Sequence, residues 1–237
     1  MKTLLILAGG FGSRLRSVVS DVPKPLAPVS KEPFLKILLR NYIKQGANNI
    51  ILLLHFEADK IKNMLEAMNQ NGELDGVNID LIVEKNPLGT GGAILNAIDY
   101  SAIDDSFFVI NADTWLSESL KFMIDSESPS VASVKLNDSS RYGSLKIYEK
   151  KILSFDEKNK FIKSGWINAG MYHLNINNFF DYAPGSAFSL EEKILPRLAD
   201  SGNLNVVKLE TEFIDIGVPE DYFRFCKWID EEKKYEL

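Results

Sequence analysis

The sequence predicts an α/β fold in which a doubly wound, mixed but mainly parallel sheet has helices on both faces. Four short, nearly continuous apolar runs are typical of strands buried on both sides, and they cover residues 4–7, 50–54, 79–83 and 107–110. Segments with helical spacing of apolar residues lie between these runs. Strand and helix therefore alternate, which predicts right-handed βαβ units.

The helices are predicted from their apolar periodicity. Residues 34–45, which follow Pro33, and residues 58–68 both place apolar side chains along one helical face. A third helix is predicted to begin at the glycines of residues 89–92 and to run through Ile98. Near the end of the chain an i, i+3, i+4, i+7 pattern predicts an amphipathic helix, formed by Tyr222, Phe225, Cys226 and Ile229.

The second half of the chain has a different pattern. Shorter β-like runs at 131–136, 144–148, 152–155 and 167–174 predict a smaller mixed or antiparallel β portion that supplies the acceptor side of a cleft. No linker or repeat separates the halves. We therefore expect one domain over residues 1–237, with functional halves 1–125 and 126–237.

Composition excludes several classes of protein. A net charge of −6 argues against binding of a nucleic acid, because polyanions need clustered Lys and Arg. The first apolar run, before Gly9 and Gly10, is too short for a signal peptide or a membrane span. With the single cysteine, Cys226, an intramolecular disulfide is impossible. These features predict a cytoplasmic protein with no membrane partner.

The first apolar run ends in a glycine-rich turn that contains an arginine. Glycines such as Gly9, Gly10 and Gly12 let backbone N–H groups approach phosphate oxygens, and Arg14 adds positive charge. The third glycine of a dinucleotide fingerprint would fall at Leu15, and no Gly-Lys-Ser/Thr follows. The remaining interpretation is a loop that binds nucleotide phosphates, against the alternative of a purely structural turn.

A lysine between two prolines follows this turn. Pro23 and Pro25 remove two N–H donors and predict a stiff, irregular segment, so Lys24 loses little entropy when it points at a ligand. The alternative is a solvated lysine in a proline turn. The phosphate loop just upstream favours the first interpretation.

Two acidic residues are candidate metal ligands. Asp113 follows the strand at 107–110, at the edge of an open α/β sheet where ligands bind, and Mg²⁺ prefers one or two carboxylates plus phosphates. The alternative is an N-cap of a following helix. Asp215 lies between apolar residues, where a carboxylate is costly unless it is paired or metal-bound. The alternative for Asp215 is a plain loop before a helix.

Weaker signals surround these residues. The helix that opens at Gly89 could offer its amides to a phosphate or a base, or its glycines could serve tight packing alone. Glu84 could accept hydrogen bonds from a base or a ribose. Polar groups at strand ends in the second half suit sugar hydroxyls and a sugar phosphate, although charged turns are usually only solvated. His55 and His173 are isolated and are interpreted as structural.

With these motifs in order, the chain resembles the sugar-1-phosphate nucleotidyltransferases, also called NDP-sugar pyrophosphorylases. The matching segments are residues 7–14, 23–25, 87–92, 111–113, 157–158 and 168–170. The resemblance implies the Rossmann-like fold of that family, with a nucleotide half and a sugar-phosphate half. It also implies transfer of a nucleoside monophosphate from a nucleoside triphosphate to a sugar 1-phosphate, with Mg²⁺ and with release of pyrophosphate.

The resemblance also implies roles for residues of this sequence. The catalytic residues would be Arg14, Lys24 and Asp113, and Mg²⁺ would be held by Asp113 and Asp215. The nucleotide would be bound by Leu7, Ala8, Gly9, Gly10, Gly12, Ser13, Glu84, Pro87, Gly89, Thr90 and Gly91. The sugar phosphate would be bound by Asn111, Tyr142, Gly143, Glu157, Lys158, Asn168 and Gly170.

Within the family, residues 141–143 and 213–222 are most similar to the subgroup that uses GTP and a heptose 1-phosphate. Mannose 1-phosphate and N-acetylmuramate 1-phosphate stay open as acceptors, as does a non-catalytic protein that binds a nucleotide sugar. One departure from the family pattern is Ala112, where many relatives have glycine; its methyl group requires a negative φ. Trp228, expected to be exposed on the last helix, could serve a homodimer.

Overall fold

The structure, a computed structural model, describes residues 2–100, 103–156 and 164–232. Within these ranges the strands are β1 (Leu4–Leu7), β2 (Pro28–Val29), β3 (Glu32–Pro33), β4 (Asn49–Leu54), β5 (Asn78–Val83), β6 (Ser106–Asn111), β7 (Thr114–Leu116), β8 (Ser130–Leu136), β9 (Leu145–Tyr148), β10 (Lys151–Phe155), β11 (Gly165–Asn175), β12 (Asn205–Leu209) and β13 (Phe213–Asp215). The α-helices are α1 (Phe34–Lys44), α2 (Ala58–Gln70), α3 (Gly89–Tyr100), α4 (Leu120–Ile124), α5 (Leu195–Asp200) and α6 (Pro219–Glu232).

Strands from both halves of the chain form one mixed sheet. Its order is β5-β4-β1-β6-β11-β8-β12-β10-β9. Strands β5, β4, β1 and β6 run parallel, as the alternation of strand and helix predicts. Strand β11 then pairs antiparallel with both β6 and β8, and β12 pairs parallel with β8. The prediction of an α/β fold is confirmed, and β11 joins the strands of the first half to those of the second half within one sheet.

Apolar layers cover both faces of this sheet. Successive residues of β1 point to opposite sides, so Leu4 and Ile6 pack with α1, α2 and α6, whereas Leu5 packs with α3 and α5. All three leucine and isoleucine side chains are fully buried. The prediction of helices on both faces is confirmed, and β1 lies at the centre of the core.

One predicted strand is less buried than its composition suggests. Residues 79–83 do form β5, but this strand lies at the edge of the sheet, and Val83 is 44% exposed. The prediction that this run is buried on both faces is therefore wrong. An apolar run indicates a strand, but it does not indicate how many neighbours that strand has.

A two-stranded ribbon joins distant parts of the chain beside the main sheet. Strand β7 pairs antiparallel with β13, and Thr114 lies opposite Asp215. The N–H of Ile216 also donates to the carbonyl of Asp113, at 2.9 Å. Two backbone contacts thus bring the ends of β6 and β13 together, which the sequence separation alone does not predict.

The Pro-Lys-Pro segment is more regular than expected. Residues Lys24–Leu26 form one turn of 3₁₀ helix, in which Leu26 N–H donates to the Pro23 carbonyl at 2.8 Å. The prediction of an irregular segment is wrong. Proline fits the first turn of a helix, because the N–H that it lacks has no partner there.

Helix α6 packs over the edge of the β7–β13 ribbon. Trp228 is half-buried, with its ring centroid 5.5 Å from Trp115 and 5.9 Å from Phe225. The expectation that Trp228 is exposed for a dimer contact is therefore wrong. Phe223 is the exposed aromatic residue of this helix. In the described part of the chain, no helix combines the length and the apolar character that a membrane crossing requires.

Candidate active site

The glycine-rich turn leaves β1 and passes closely over Lys24. Gly12 has a left-handed φ of +62°, and a Cβ placed on it would lie 2.6 Å from the Cβ of Lys24. A Cβ on Gly10 would meet nothing within 4 Å, so the backbone there faces open space. Glycine at position 12 is required by both backbone conformation and close approach. Beyond it Leu15 is buried and anchors the loop in the core.

Lys24 lies between the two acidic residues that the sequence singles out. Its Nζ is 2.5 Å from Oδ2 of Asp113, and only 9% of its side chain is exposed, so the alternative of a solvated lysine is excluded. A Cβ on Gly217 would lie 3.2 Å from this Nζ and 2.7 Å from Oδ1 of Asp215. The buried Gly217 therefore leaves room for the ammonium group beside both carboxylates.

The electrostatics of this cluster follow from its burial. Burial, together with the negative charge of Asp113, raises the pKa of Asp215. Lys24 and Arg14 act in the opposite direction, and Asp215 also accepts a hydrogen bond from Gly217 N–H at 2.7 Å. Asp113 precedes β7 rather than a helix, so it is no helix cap. Its carboxylate is available for a cation.

The donor set of this cluster fits a magnesium ion. The described residues contain no group of three or more His, Cys, Asp or Glu side chains that could hold a metal. Asp113 and Asp215 supply two carboxylates, and Mg²⁺ characteristically combines one or two carboxylates with phosphate oxygens and water. Burial and the charge of Asp113 both raise the pKa of Asp215, and a divalent cation would compensate the negative charges of the two carboxylates.

A cavity of about 300 Å³ opens at the ends of β1 and β6. We call it the smaller cavity. Its lining includes Phe11, Asn111 and Asp113. It also includes seven of the residues predicted to bind a nucleotide, which are Leu7, Gly9, Gly10, Glu84, Pro87, Gly89 and Thr90. Its position at the carboxyl ends of parallel strands is where open α/β sheets bind ligands.

Four predicted nucleotide residues lie outside this lining. Ala8 is buried and its N–H donates to the Leu53 carbonyl. Ser13 is exposed, and Gly12 packs on Lys24. Gly91 lies in the first turn of α3 and donates its N–H to the Phe188 carbonyl. These residues shape the loop and the helix behind the cavity wall rather than its surface.

The glycines that open α3 serve packing more than ligand contact. The N–H groups of Gly91 and Gly92 both donate to the carbonyl of Phe188, at 3.0 and 3.2 Å. Gly89 has a left-handed φ of +71°, and a Cβ on it would lie 2.6 Å from the same carbonyl oxygen. The expectation that the amides of Gly91 and Gly92 are free for a phosphate is wrong, because a neighbouring segment already uses them.

Glu84 lies at the rim of the smaller cavity. Burial raises the pKa of its carboxyl group. One carboxylate oxygen, Oε2, accepts from Leu88 N–H at 3.1 Å, and the other accepts no hydrogen bond from a described residue. His55 contacts the Glu84 carbonyl through Nδ1 at 2.9 Å, which confirms the structural interpretation of His55. Glu84 thus presents a fixed acceptor to the cavity.

A second, larger cavity of about 1560 Å³ adjoins the cluster from the other side. Its lining includes Arg14 and Asp215 as well as the predicted sugar-side residues Tyr142, Gly143 and Asn168. Arg14 is exposed and faces this larger cavity rather than the smaller one. Asp113 and Asp215 therefore lie on the walls of two different cavities, with Lys24 between them.

Asn111 and Gly170 lie where β6 and β11 pair. Gly170 has a φ of +72°, and a Cβ on it would lie 2.9 Å from Nδ2 of Asn111. The buried Oδ1 of Asn111 has no hydrogen-bond partner among the described residues. Such an acceptor is costly unless a ligand or water satisfies it. Asn168 accepts from Gly170 N–H at 2.9 Å and holds this bend in β11.

Glu191 is a cavity residue that the sequence reasoning missed. It is the second residue of the π-helical turn Leu190–Ile194 and accepts hydrogen bonds from Thr90 at 2.6 Å and Tyr172 at 3.3 Å. Asn168 in turn donates to the Tyr172 hydroxyl at 3.0 Å. Glu191 thus connects the wall of the smaller cavity to that of the larger one. An acid after a helix-capping serine has no distinguishing sequence signal.

The remaining expectations concern Glu157, Lys158, Ala112 and His173. Glu157 and Lys158 lie outside the described residues. Ala112 has no positive φ and is buried, so its methyl group is accommodated as expected. His173, also interpreted as structural, is buried against Phe108 and contacts Lys2 Nζ at 3.0 Å.

Comparison with known proteins gives consistent matches. The model of the nucleotidyl transferase family matches residues 3–232. D-glycero-alpha-D-manno-heptose 1-phosphate guanylyltransferase of Campylobacter jejuni is 36% identical over 93% of this chain and 97% of its own length. Mannose-1-phosphate guanylyltransferase catalytic subunit beta of Xenopus tropicalis is 30% identical over 92% of this chain and 62% of its own length. The crystal structure of HddC from Yersinia pseudotuberculosis complexed with GMP-PN superposes with a TM-score of 0.82 at 38% identity, covering 97% of this chain and 100% of HddC.

Proposed function

The chain belongs to the nucleotidyl transferase family, and from this premise we propose that it transfers GMP from GTP to a sugar 1-phosphate. The acceptor that we propose is D-glycero-α-D-manno-heptose 1-phosphate, with release of pyrophosphate. The single observation that best supports this function is the Asp113–Lys24–Asp215 cluster between two cavities. Two anionic substrates that must meet need positive charge between them, which Lys24 supplies and a metal ion held by the two carboxylates would increase.

The reaction needs positioning and charge neutralisation rather than a general base. An oxygen of the sugar 1-phosphate attacks the α-phosphorus of GTP while the bond to the bridging oxygen of pyrophosphate breaks. The attacking oxygen is already anionic. The protein must therefore hold two anions in line and stabilise the charge that moves to the leaving group.

Lys24 is suited to the meeting point of the two phosphates. Its ammonium is fixed by Asp113 on a 3₁₀ turn that Gly12 covers, so little entropy is lost when it contacts a phosphate. Arg14 is exposed beside Asp215 and provides a planar donor fork for phosphate oxygens. We assign Lys24 to the α-phosphoryl and acceptor phosphates. We assign Arg14 to the leaving pyrophosphate, which on this proposal extends out of the smaller cavity toward the edge of the larger one that Arg14 lines.

We propose Mg²⁺ as the cofactor, with Asp113 and Asp215 as its protein ligands. When bound, the ion would screen the repulsion between the substrates and stabilise negative charge on the phosphates. The part of the protein is to hold the two carboxylates adjacent. The β7–β13 ribbon and the Ile216–Asp113 backbone hydrogen bond do this.

Guanine is proposed from the relatives and from Glu84. Guanine is the base with adjacent N1–H and N2–H₂ donors on one edge, and a carboxylate is an acceptor that matches them. Glu84 offers an oxygen without a described partner at the rim of the smaller cavity. Inosine triphosphate lacks the N2 amino group, so it should be a poorer substrate if this contact forms.

The sugar phosphate is assigned to the larger cavity. Tyr142, Gly143 and Asn168 line it, and Asn111 and Gly170 lie close to the cluster. We propose that these residues read the sugar hydroxyls, that Glu157 and Lys158 also contact the acceptor, and that residues 126–237 therefore supply the acceptor half of a single domain. Mannose 1-phosphate stays a second candidate, since a mannose-1-phosphate guanylyltransferase is 30% identical to this chain.

The test is a pyrophosphate-release assay that crosses four nucleoside triphosphates and inosine triphosphate with a panel of sugar 1-phosphates. We expect the highest kcat/KM with GTP and heptose 1-phosphate, and a Mg²⁺ requirement. A matched Glu84→Gln variant should lose preference for GTP over inosine triphosphate. Pyrophosphate release that needs no sugar 1-phosphate would contradict the proposed transfer, because water would then be the acceptor. No release with any pair would contradict the proposed function and favour a non-catalytic nucleotide-sugar-binding protein.

A further inference from the structure

The loop between β8 and β9 is attached to α6 by an ion pair that the proposed reaction does not use. Asp221, in the first turn of α6, is 8% exposed. Its Oδ2 accepts from Arg141, a residue of the loop, and its Oδ1 lies 3.4 Å from Arg224 on the same helix. Asp221 is absent from the lining of both cavities, whereas Arg141 and Tyr142 line the larger one.

Arg141 connects Asp221 to Tyr142. The Nη2 that donates to Asp221 also donates to the Tyr142 hydroxyl at 3.1 Å, and the guanidinium carbon lies 5.5 Å from the centroid of the tyrosine ring. The ring packs edge-on against Phe213 of β13, at 5.7 Å. Tyr142 is therefore held from two sides, by a cation and by an aromatic ring.

Helix α6 is itself tied to the strand that ends in Asp215. Arg224 donates to the Phe213 carbonyl at 3.4 Å, and α6 begins at Pro219, just after that strand. The position of Tyr142 thus follows the position of the β7–β13 ribbon. One buried carboxylate links the wall of the larger cavity to the cluster that holds the phosphates.

The charged partners of Arg141 distinguish two possible roles for it, which are binding of the acceptor phosphate and orientation of Tyr142. Burial alone would lower the pKa of its guanidinium, but the hydrogen bonds to Asp221 and Tyr142 raise it above the ordinary value. An arginine that bound the acceptor phosphate would be more effective without a competing carboxylate. An arginine that orients Tyr142 requires that carboxylate.

We propose that Asp221 is a positioning residue for the sugar 1-phosphate: through Arg141 it sets Tyr142 and the residue 137–143 loop against the larger cavity. The inference rests on the proposed function, because it concerns the acceptor of that reaction. Tyr142 contacts the sugar, and Asp221 acts only through Arg141. The nucleotide side of the site does not depend on the Asp221–Arg141 pair, because Arg224 still attaches α6 to the Phe213 carbonyl of β13 when that pair is lost.

The test measures the two KM values separately in Asp221→Asn, with Glu220→Gln as matched control. Glu220 is the exposed neighbour of Asp221 on α6 and makes no ion pair among the described residues. Because a hydrogen bond to a charged group is lost, we expect the KM for sugar 1-phosphate to rise about tenfold. The KM for GTP should stay within about twofold, since only one side of the site moves. Asp221→Glu should recover part of the loss.

Each other outcome overturns the proposal. An equal rise in both KM values would mean a general structural role, and unchanged values would mean none. A lower KM for sugar 1-phosphate would mean that freed Arg141 binds the phosphate itself. If Asp221→Asn fails to fold, Arg141→Lys decides by the same comparison, because the Arg141 side chain is 47% exposed and its substitution leaves the core intact.

Failure of the proposed function is recognised separately. A wild-type protein that uses none of the sugar 1-phosphates refutes the proposed reaction. A wild-type protein that turns over normally, while its Asp221 variants keep both KM values, refutes only the role of Asp221.

Discussion

Replacement of Gly12 by alanine tests how closely the phosphate loop approaches Lys24. Gly12 has φ +62°, and the new Cβ would lie 2.6 Å from Lys24 Cβ. Two other glycines supply matched controls. Gly46 has φ +96°, but a Cβ on it would meet nothing within 4 Å, and Gly10 has neither a positive φ nor a neighbour within 4 Å.

The three substitutions separate backbone strain from steric conflict. A left-handed residue with a Cβ costs about 1–2 kcal/mol, which applies to Gly46→Ala and to Gly12→Ala. Non-bonded carbon atoms need about 3.5–4.0 Å, so Gly12→Ala must also move the loop or Lys24 by about 1 Å. Such overpacking typically adds about 1–3 kcal/mol. Gly10→Ala should cost close to nothing in stability.

The same displacement should impair turnover. Movement of Lys24 away from Asp113 misplaces the ammonium that the proposed reaction uses, and an error of about 1 Å typically costs about 100-fold in rate. Gly46 follows α1 and is remote from both cavities, so Gly46→Ala should keep the wild-type kcat. Gly10→Ala should keep stability, while its methyl group enters the smaller cavity and raises the KM for GTP.

Thermal unfolding, urea unfolding and pyrophosphate release measure the two effects. For a chain of this size, 1 kcal/mol corresponds to about 2–4 °C in Tm. We expect a loss of several degrees in Gly46→Ala and about twice that loss in Gly12→Ala, with the fall in kcat confined to Gly12→Ala. Equal unfolding free energies for these two variants, with wild-type kcat in both, would refute the close approach of the loop to Lys24.

Three further predictions concern charge. Arg14→Ala should remove about 2–4 kcal/mol of transition-state stabilisation, measured as a fall in kcat/KM in steady-state kinetics at saturating Mg²⁺. Unchanged turnover would show that Arg14 takes no part in the chemistry. Asp113→Asn should shift the Mg²⁺ titration of activity to higher concentration, and a wild-type curve would argue against ligation. Burial and the Lys2 ammonium lower the pKa of His173 to about 4. Between pH 6.5 and 4 the imidazole is therefore protonated in the unfolded chain but not in the folded protein. The free energy of unfolding should fall by up to about 3 kcal/mol as the pH drops through that window. Urea unfolding of His173→Gln should lack this slope.

The sequence predicts the central strands well because their signal is local. An apolar run such as residues 4–7 can be buried only between neighbours, and β1 is indeed central. The same reasoning misplaces β5, because an edge strand that packs on one face can have similar composition. The prediction that Trp228 is exposed is wrong for a related reason, since its partner Trp115 belongs to a ribbon that periodicity cannot predict.

The candidate site likewise contains residues that the sequence predicts and residues that it does not. Lys24, Asp113 and Asp215 are predicted because their sequence contexts are chemically unusual: a proline pair and two strand ends. Their meeting depends on the β7–β13 pairing, which only the fold reveals. Glu191 and Asp221 have no such context. Each looks like a solvated helix acid until the fold places Tyr172 or Arg141 against it.

The β7–β13 ribbon also affects when the enzyme becomes competent during synthesis. The nine described strands of the main sheet lie before or at β12, which ends at Leu209, whereas Asp215 belongs to the later strand β13. A nascent chain that stops after Leu209 would contain all of these strands and the loop of Arg14 but only one of the two carboxylates. If Asp215 binds the metal as proposed, nucleotide transfer has to wait for the last strand, and a prematurely released chain would not consume GTP.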